Sequence, residues 1–192
     1  MKKLSSILMI ALSACVFQAC NGPKDSKGAA DSANAVKDTT TSGLTGIAVD
    51  KDDAKFAVNA ANGGMTEIAL SQMAVTKSIN AKVQSFASMM VADHSAAGNE
   101  LSGIARTKNI TLPDSVDNNS KKAIDALSKV SVTNFDKAYV SKMIDDHKDA
   151  VKLFKDAAKN VKDPDLKAFV NKTLPIIQSH LAAIIDIHDS MK

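Results

Sequence analysis

The stretch Phe86–Ala97 reads FASMMVADHSAA, and Tyr139–Ala150 reads YVSKMIDDHKDA. The two align without a gap, sharing Ser, Met, Asp, His and Ala at equivalent places, so the chain carries two copies of an M-x-x-D-H unit. Apolar residues around each copy recur at steps of three and four, the period of an amphipathic helix. In the first the seam is Val83, Phe86, Met90, His94, Ala97, Leu101 and Ile104; in the second it is Val140, Met143, His147, Ala150, Phe154, Ala157 and Val161. These seams predict long helices over about residues 80–108 and 134–161.

The same period extends outward on both sides. Residues 53–78 place Phe56, Ala60, Gly64, Glu67, Ser71 and Ala74 on one face. Asp163-Pro164 reads as a helix start, with Asp capping and Pro at the first helical position, and opens a seam of Leu166, Phe169, Thr173, Ile177, His180, Ile184 and Ile187. Between the middle helices lies a long connection with Pro113 and a shorter amphipathic piece near 120–130, which an up-down bundle would not need. The expected fold is all-α: a ferritin-like four-helix bundle with a long crossover carrying a short extra helix. Composition agrees. Of 192 residues 45% are hydrophobic but only 4% aromatic, with no Trp, which disfavours a β sandwich or barrel.

The residues that interrupt the seams carry the functional signal. Glu67, His94, His147 and His180 occupy core positions near the middle of their helices, so they fall at one level to within about a turn. Polar groups converging from four helices are how bundles build metal sites. Three readings are open: a transition-metal site, with zinc or copper the candidates, a hydrogen-bonded polar core that fixes helix register, and an active redox or hydrolytic centre. Met90 and Met143 favour copper(I) only if their sulfurs turn inward, and otherwise fill the core. Asp93 and Asp146, one residue before their histidines, are candidate acceptors for a neighbouring helix's imidazole or boundary carboxylates facing water. His188 is off the seam and expected in solvent. Asn62-Gly63-Gly64 reads as a close helix contact beside Glu67, with a helix break as the other reading, and Pro175 as a site of curvature or a kink.

These stretches also carry a resemblance. FAVNAANGGMTEIALSQMA at 56–74, FASMMVADHSAAGNELSGIARTKNITLP at 86–113, and the pieces FDKAY, DDH, LFKDAA, KAFVNKTLP and SHL between 135 and 181 resemble the bacterial secreted domain-of-unknown-function family 4142. The resemblance covers nearly the whole folded body. It implies an exported ferritin-like bundle and brings no established reaction, substrate or ligand. Di-iron members of the ferritin-like group use Glu-x-x-His on two helices, whereas here Val91, Ile144 and Ile177 stand three residues before the histidines. A di-iron centre is therefore not expected.

The N-terminus gives an address. Met1-Lys2-Lys3 followed by the apolar run Leu4 to Phe17 and then a cysteine resembles a lipoprotein signal. Cys20, which ends the apolar run and precedes polar Asn21 to Asp25, is the preferred lipidation site, with Cys15 the competing register. The expected organisation is a signal peptide over 1–19, a flexible tether over 20–51 and the bundle over 52–192. The tether is expected because residues 21–50 hold almost no large apolar side chain. The chain is thus expected to sit in the cell envelope, bound to the membrane through an N-terminal lipid and facing the periplasm or the cell surface.

No cysteine lies in the body, excluding a disulfide or thiolate centre there. A net charge of +3, two units of it from Lys2 and Lys3, gives no reason to expect nucleic acid. No phosphate-binding loop, nucleophile elbow or H-E-x-x-H motif is present, so an enzyme of a standard class is not expected. Two functions remain from sequence: an envelope bundle holding a metal at Glu67, His94, His147 and His180, or a structural lipoprotein with a polar core and an unidentified protein partner.

Overall fold

The computed structural model describes residues 25–39 and 49–192, which are helical with no strand among them. The segment expected to be a signal peptide, with Cys15 and Cys20, lies outside the described residues. The helices are α1 (Ser26–Thr39), α2 (Lys51–Lys77), α3 (Ala81–Thr107), α4 (Asn118–Ser128), α5 (Val132–Asn160) and α6 (Pro164–Ser190).

Helix boundaries follow local chemistry. Asp50, Asn80, Asp117 and Asp163 each accept hydrogen bonds from first-turn backbone N–H groups, satisfying donors that a helix leaves unpaired. At the end of α3, Asn109 takes a left-handed φ of 56°. This lets Ile110 N–H reach the carbonyl of Ala105 at 2.8 Å and Asn109 N–H that of Arg106, closing the helix with Asn where glycine is more usual. The helix around Asn62-Gly63-Gly64 is unbroken, and α6 runs on through Pro175.

Four long helices form a ring in which every neighbour is antiparallel. Short turns join α2 to α3 and α5 to α6, making two hairpins that pack α2 on α5 and α3 on α6. Bonds at the ends set the directions. Asp53 in the first turn of α2 accepts from Lys162 and Asp163 N–H just past α5, and Lys108 after α3 pairs with Asp163 and Asp165 at the start of α6, both at 2.7 Å. The crossover, residues 108–131 with α4 inside it, returns along the bundle so that α3 and α5 run parallel. Lys77 donates to the carbonyl of Ser128 where it arrives.

α1 corrects the expectation of a tether over 20–51, because residues 26–39 fold onto the bundle. Its buried face consists of Ala30 and Asn34, only 2% and 5% exposed. Asn34 works by hydrogen bonding: its amide donates to the Thr111 carbonyl at 2.9 Å and accepts from Thr111 N–H at 2.7 Å. Ser26 bonds the Asp114 carboxylate and Asp25 accepts from Asn118 N–H. A helix held by small and polar groups has no large apolar stripe to reveal it.

The core is two clusters. One holds Phe56, Leu101, Phe154, Leu166, Phe169 and Ile177; the other Leu70, Phe86, Met90, Tyr139, Met143 and Ile184. Phe154 meets Phe56 edge-on, ring centroids 5.2 Å apart, and lies 6.0 Å from Phe169. Replacing Phe154 with Ala is expected to destabilise the domain by about 3–5 kcal/mol in urea titration, and a loss under ~1 kcal/mol would contradict its core placement.

Candidate metal centre

The polar seam residues meet between the two apolar clusters. His147 is fully buried, His180 is 3% and Glu67 5% exposed, and the His94 side chain is 10% exposed. The three imidazoles form a triangle with centroid separations of 6.0 Å (His94 to His147), 5.5 Å (His94 to His180) and 5.6 Å (His147 to His180). Phe86 closes one side, 6.3 Å from the ring of His147 and 6.4 Å from that of His180. One ring nitrogen from each histidine lies within 4.8 Å of the other two.

The hydrogen bonds fix the free nitrogen on two of the three rings. His147 Nδ1 lies 2.8 Å from the Met143 carbonyl one turn earlier. A carbonyl only accepts, so Nδ1 carries the hydrogen and Nε2 keeps a lone pair. His180 Nε2 lies 2.9 Å from Asp93 Oδ2, which makes Nε2–H the donor and leaves the lone pair on Nδ1. His94 Nδ1 stands 3.2 Å from Glu67 Oε2. The opposite nitrogens, His94 Nε2, His147 Nε2 and His180 Nδ1, are all buried without a hydrogen-bond partner among the described residues, as is Glu67 Oε1. A buried polar atom left unpaired costs about 1–3 kcal/mol.

The site residues expected from sequence take distinct places. Glu67 and the three histidines do form one buried site, but the mutually close donor atoms are those of the histidines. The Glu67 carboxyl lies against the Nδ1 side of His94 and, at 3.5 Å, of His147. Asp93 reaches the imidazole of a neighbouring helix. Asp146 does not, and the expectation for it is corrected: Lys142, one turn earlier on α5, takes its carboxylate in an ion pair. His188, with its side chain 40% exposed, bonds Asp189 at the C-terminal end. Gly64 is likewise not a tight helix contact, since a Cβ there would meet His94 Nδ1 at 3.8 Å, an ordinary van der Waals distance. Sequence reasoning missed the Met143 carbonyl and Lys142, both placed by the i, i+4 geometry of α5.

Burial sets the protonation of the layer. It pushes the Glu67 carboxyl up to about 8, helped by the negative charge of Asp146, so that Glu67 holds its proton at neutral pH. Burial, with the His180 and His147 rings adding to it, holds His94 down at about 3, and burial holds His147 at about 4. Both imidazoles are neutral, the form that ligates a metal.

A family model described as Domain of unknown function (DUF4142) matches residues 26–187. No curated protein matches the chain. Among solved structures it resembles the crystal structure of a DUF305 fragment from Deinococcus radiodurans, with a TM-score of 0.66 at 11% identity over 72% of this chain and 96% of that one. At that identity the likeness extends to the helical fold alone.

These protonation states make stability pH-dependent with two opposed slopes. Between about pH 4 and 6.5 the unfolded chain binds protons on its histidines that native His94 and His147 refuse, so stability is lost as pH falls. Native Glu67 keeps a proton that the unfolded chain releases above about 4.5, so its contribution is lost as pH rises to about 8. The metal-free domain should be most stable near pH 6.5. Glu67→Gln should flatten the decline between pH 6.5 and 8 in urea midpoints measured across pH; an equal decline in both proteins would contradict the assignment.

Proposed function

The chain belongs to the DUF4142 family, and we propose that it is an envelope-anchored protein that binds a divalent transition metal, zinc or copper(II), through His94 Nε2, His147 Nε2 and His180 Nδ1. The observation that carries the reading is the arrangement of lone pairs. Two imidazoles have one N–H tied, to the Met143 carbonyl and the Asp93 carboxylate; the opposite nitrogens of all three rings are buried without a partner, and one ring nitrogen from each histidine lies within 4.8 Å of the other two. Metal-bound histidines use this pattern, because the outer acceptor fixes tautomer and ring orientation. A purely structural polar layer would instead be expected to pair these nitrogens with one another or with Glu67. Zinc–nitrogen bonds of about 2.0–2.1 Å require modest tightening of the triangle, and three protein nitrogens leave a fourth position open. Glu67 acts as a positioning residue for His94 and His147 rather than a ligand. His94 and His147 are already neutral at pH 7, so a metal displaces no proton from them.

A metal that binds the native state alone raises stability by about 2.7 kcal/mol at a hundredfold excess over Kd. For a chain of this size that is a rise of roughly 5–10 °C in Tm. Zinc should produce this rise in protein purified without a histidine tag, His147→Ala should abolish it, and His188→Ala should leave it intact. If neither zinc nor copper(II) shifts Tm, or if the His147 variant responds like wild type, the polar-core reading takes its place.

For the address, the proposal is that Cys20 is acylated and becomes the mature N-terminus. With α1 folded onto the domain, residues 21–25 alone separate the anchor from the bundle, a span of at most about 18 Å. The domain would then ride close to the bilayer on its crossover side. Mass spectrometry of the mature N-terminus should find a diacylated or triacylated Cys20, and a start at any other residue would overturn the register.

A further inference from the structure

Beside the histidine layer lies a cavity of about 700 Å³, partly open to solvent, with α2 and α3 on one side, α5 and α6 on the other and the crossover along its edge. Its size falls in the range of small-molecule sites, about 300–1,000 Å³. Its inner end is made by Glu67, His94 and His180, and its body by apolar side chains, Leu101, Phe154, Phe169 and Ile177 among them.

Three glycines in the middle of long helices line it: Gly63 and Gly64 on α2 and Gly98 on α3. Glycine inside a helix is costly relative to alanine, and the usual compensation is close approach of another backbone. That compensation is missing here. A Cβ built on Gly63 or Gly98 meets nothing within 4 Å, and one on Gly64 meets the His94 ring alone. These glycines keep space open next to the histidines. The crossover edge of the cavity is tied to α2: Asn62 exchanges hydrogen bonds with Asp117, and Thr66 donates to Ser120 at 2.8 Å, fixing the start of α4 against α2.

Independently of the glycines, His94 Nε2 and His180 Nδ1 belong to side chains lining the inner end, and both are buried without a hydrogen-bond partner. We infer that the cavity binds an apolar small molecule bearing one terminal donor group, an azole nitrogen or a carboxylate or phenolate oxygen. Its body packs among the phenylalanines, and its donor takes the fourth position on the metal. The donor end rests on the metal-binding reading above; the apolar end does not.

Three probes separate the two ends: 4-phenylimidazole, with body and donor; imidazole, with donor alone; and toluene, with body alone. In calorimetric titration the zinc-loaded protein should bind 4-phenylimidazole at least tenfold more tightly than imidazole. Toluene should raise the Tm of the metal-free protein. Gly98→Leu on α3, and Gly63→Leu on the neighbouring helix α2, add side chains into open space and should fold. Each should erase both the phenyl preference and the toluene effect while keeping the zinc-induced rise in Tm.

If 4-phenylimidazole binds no better than imidazole, or if both leucine variants retain the preference, the inference is wrong. If zinc itself does not bind, the metal reading fails and the donor end fails with it. The toluene measurement then decides the apolar end by itself, and no response to toluene would overturn that as well.

Discussion

Four polar side chains buried at one level, with an apolar cluster above and another below, constrain the rest of this molecule. Taking Glu67 and three imidazoles out of water is unfavourable unless their hydrogen-bonding groups find partners. The contacts that cross between helices, Asp93 with His180 and Glu67 beside His94 and His147, depend on the register of all four helices. A slip of one helix by a single turn, about 5.4 Å, would set a histidine against the phenylalanines of one cluster and carry apolar side chains into the polar layer. The Phe86 ring beside His147 and His180 shows how little slack exists. The ion pairs and caps at the bundle ends, Lys108 with Asp163 and Asp53 with the start of α6, hold the same register from outside.

Protonation follows from that burial. Glu67 is driven to keep its proton while His94 and His147 are driven to lose theirs. The layer therefore stays neutral at these groups through the physiological range, which is the least costly way to hold them in a helical core. Neutral imidazoles with their outer N–H groups tied are also the form a metal requires. One physical cause, desolvation, thus serves folding and ligation together.

Much of this was legible in the sequence, and for specific reasons. The M-x-x-D-H repeat and the seam positions of Glu67 and His180 depend on helical period and helix length, which one sequence carries. They gave the bundle, the crossover and the shared level of the four polar residues. What the sequence hid depends on side-chain direction or on distant partners. Period places Glu67 in the core but does not say that its carboxyl meets the outer side of two imidazoles. Asp93 and Asp146 occupy the same place in the repeat, yet a lysine one turn before Asp146 diverts it, whereas Met89 at the matching position cannot divert Asp93. α1 escaped notice because what it buries is Ala30 and an asparagine whose partner, Thr111, is far along the chain. A mid-helix glycine reads the same whether it admits a neighbouring backbone or leaves a cavity.

The crossover joins these parts into one device. It forms one edge of the cavity beside the histidines, and it is braced from two directions: by Asn62 and Thr66 of α2, and by α1 through Asn34, Ser26 and Asp25. Long connections are ordinarily the mobile parts of a bundle. This one has its backbone amides at Thr111, Asp114, Asp117 and Asn118 bound to side chains from elsewhere in the chain, which ties the wall of the cavity to the same helix that carries Glu67. The first described residues of the chain thus belong to the environment of a site centred far from them in sequence. A protein cut back to the four long helices would keep its histidines and lose the support of that wall.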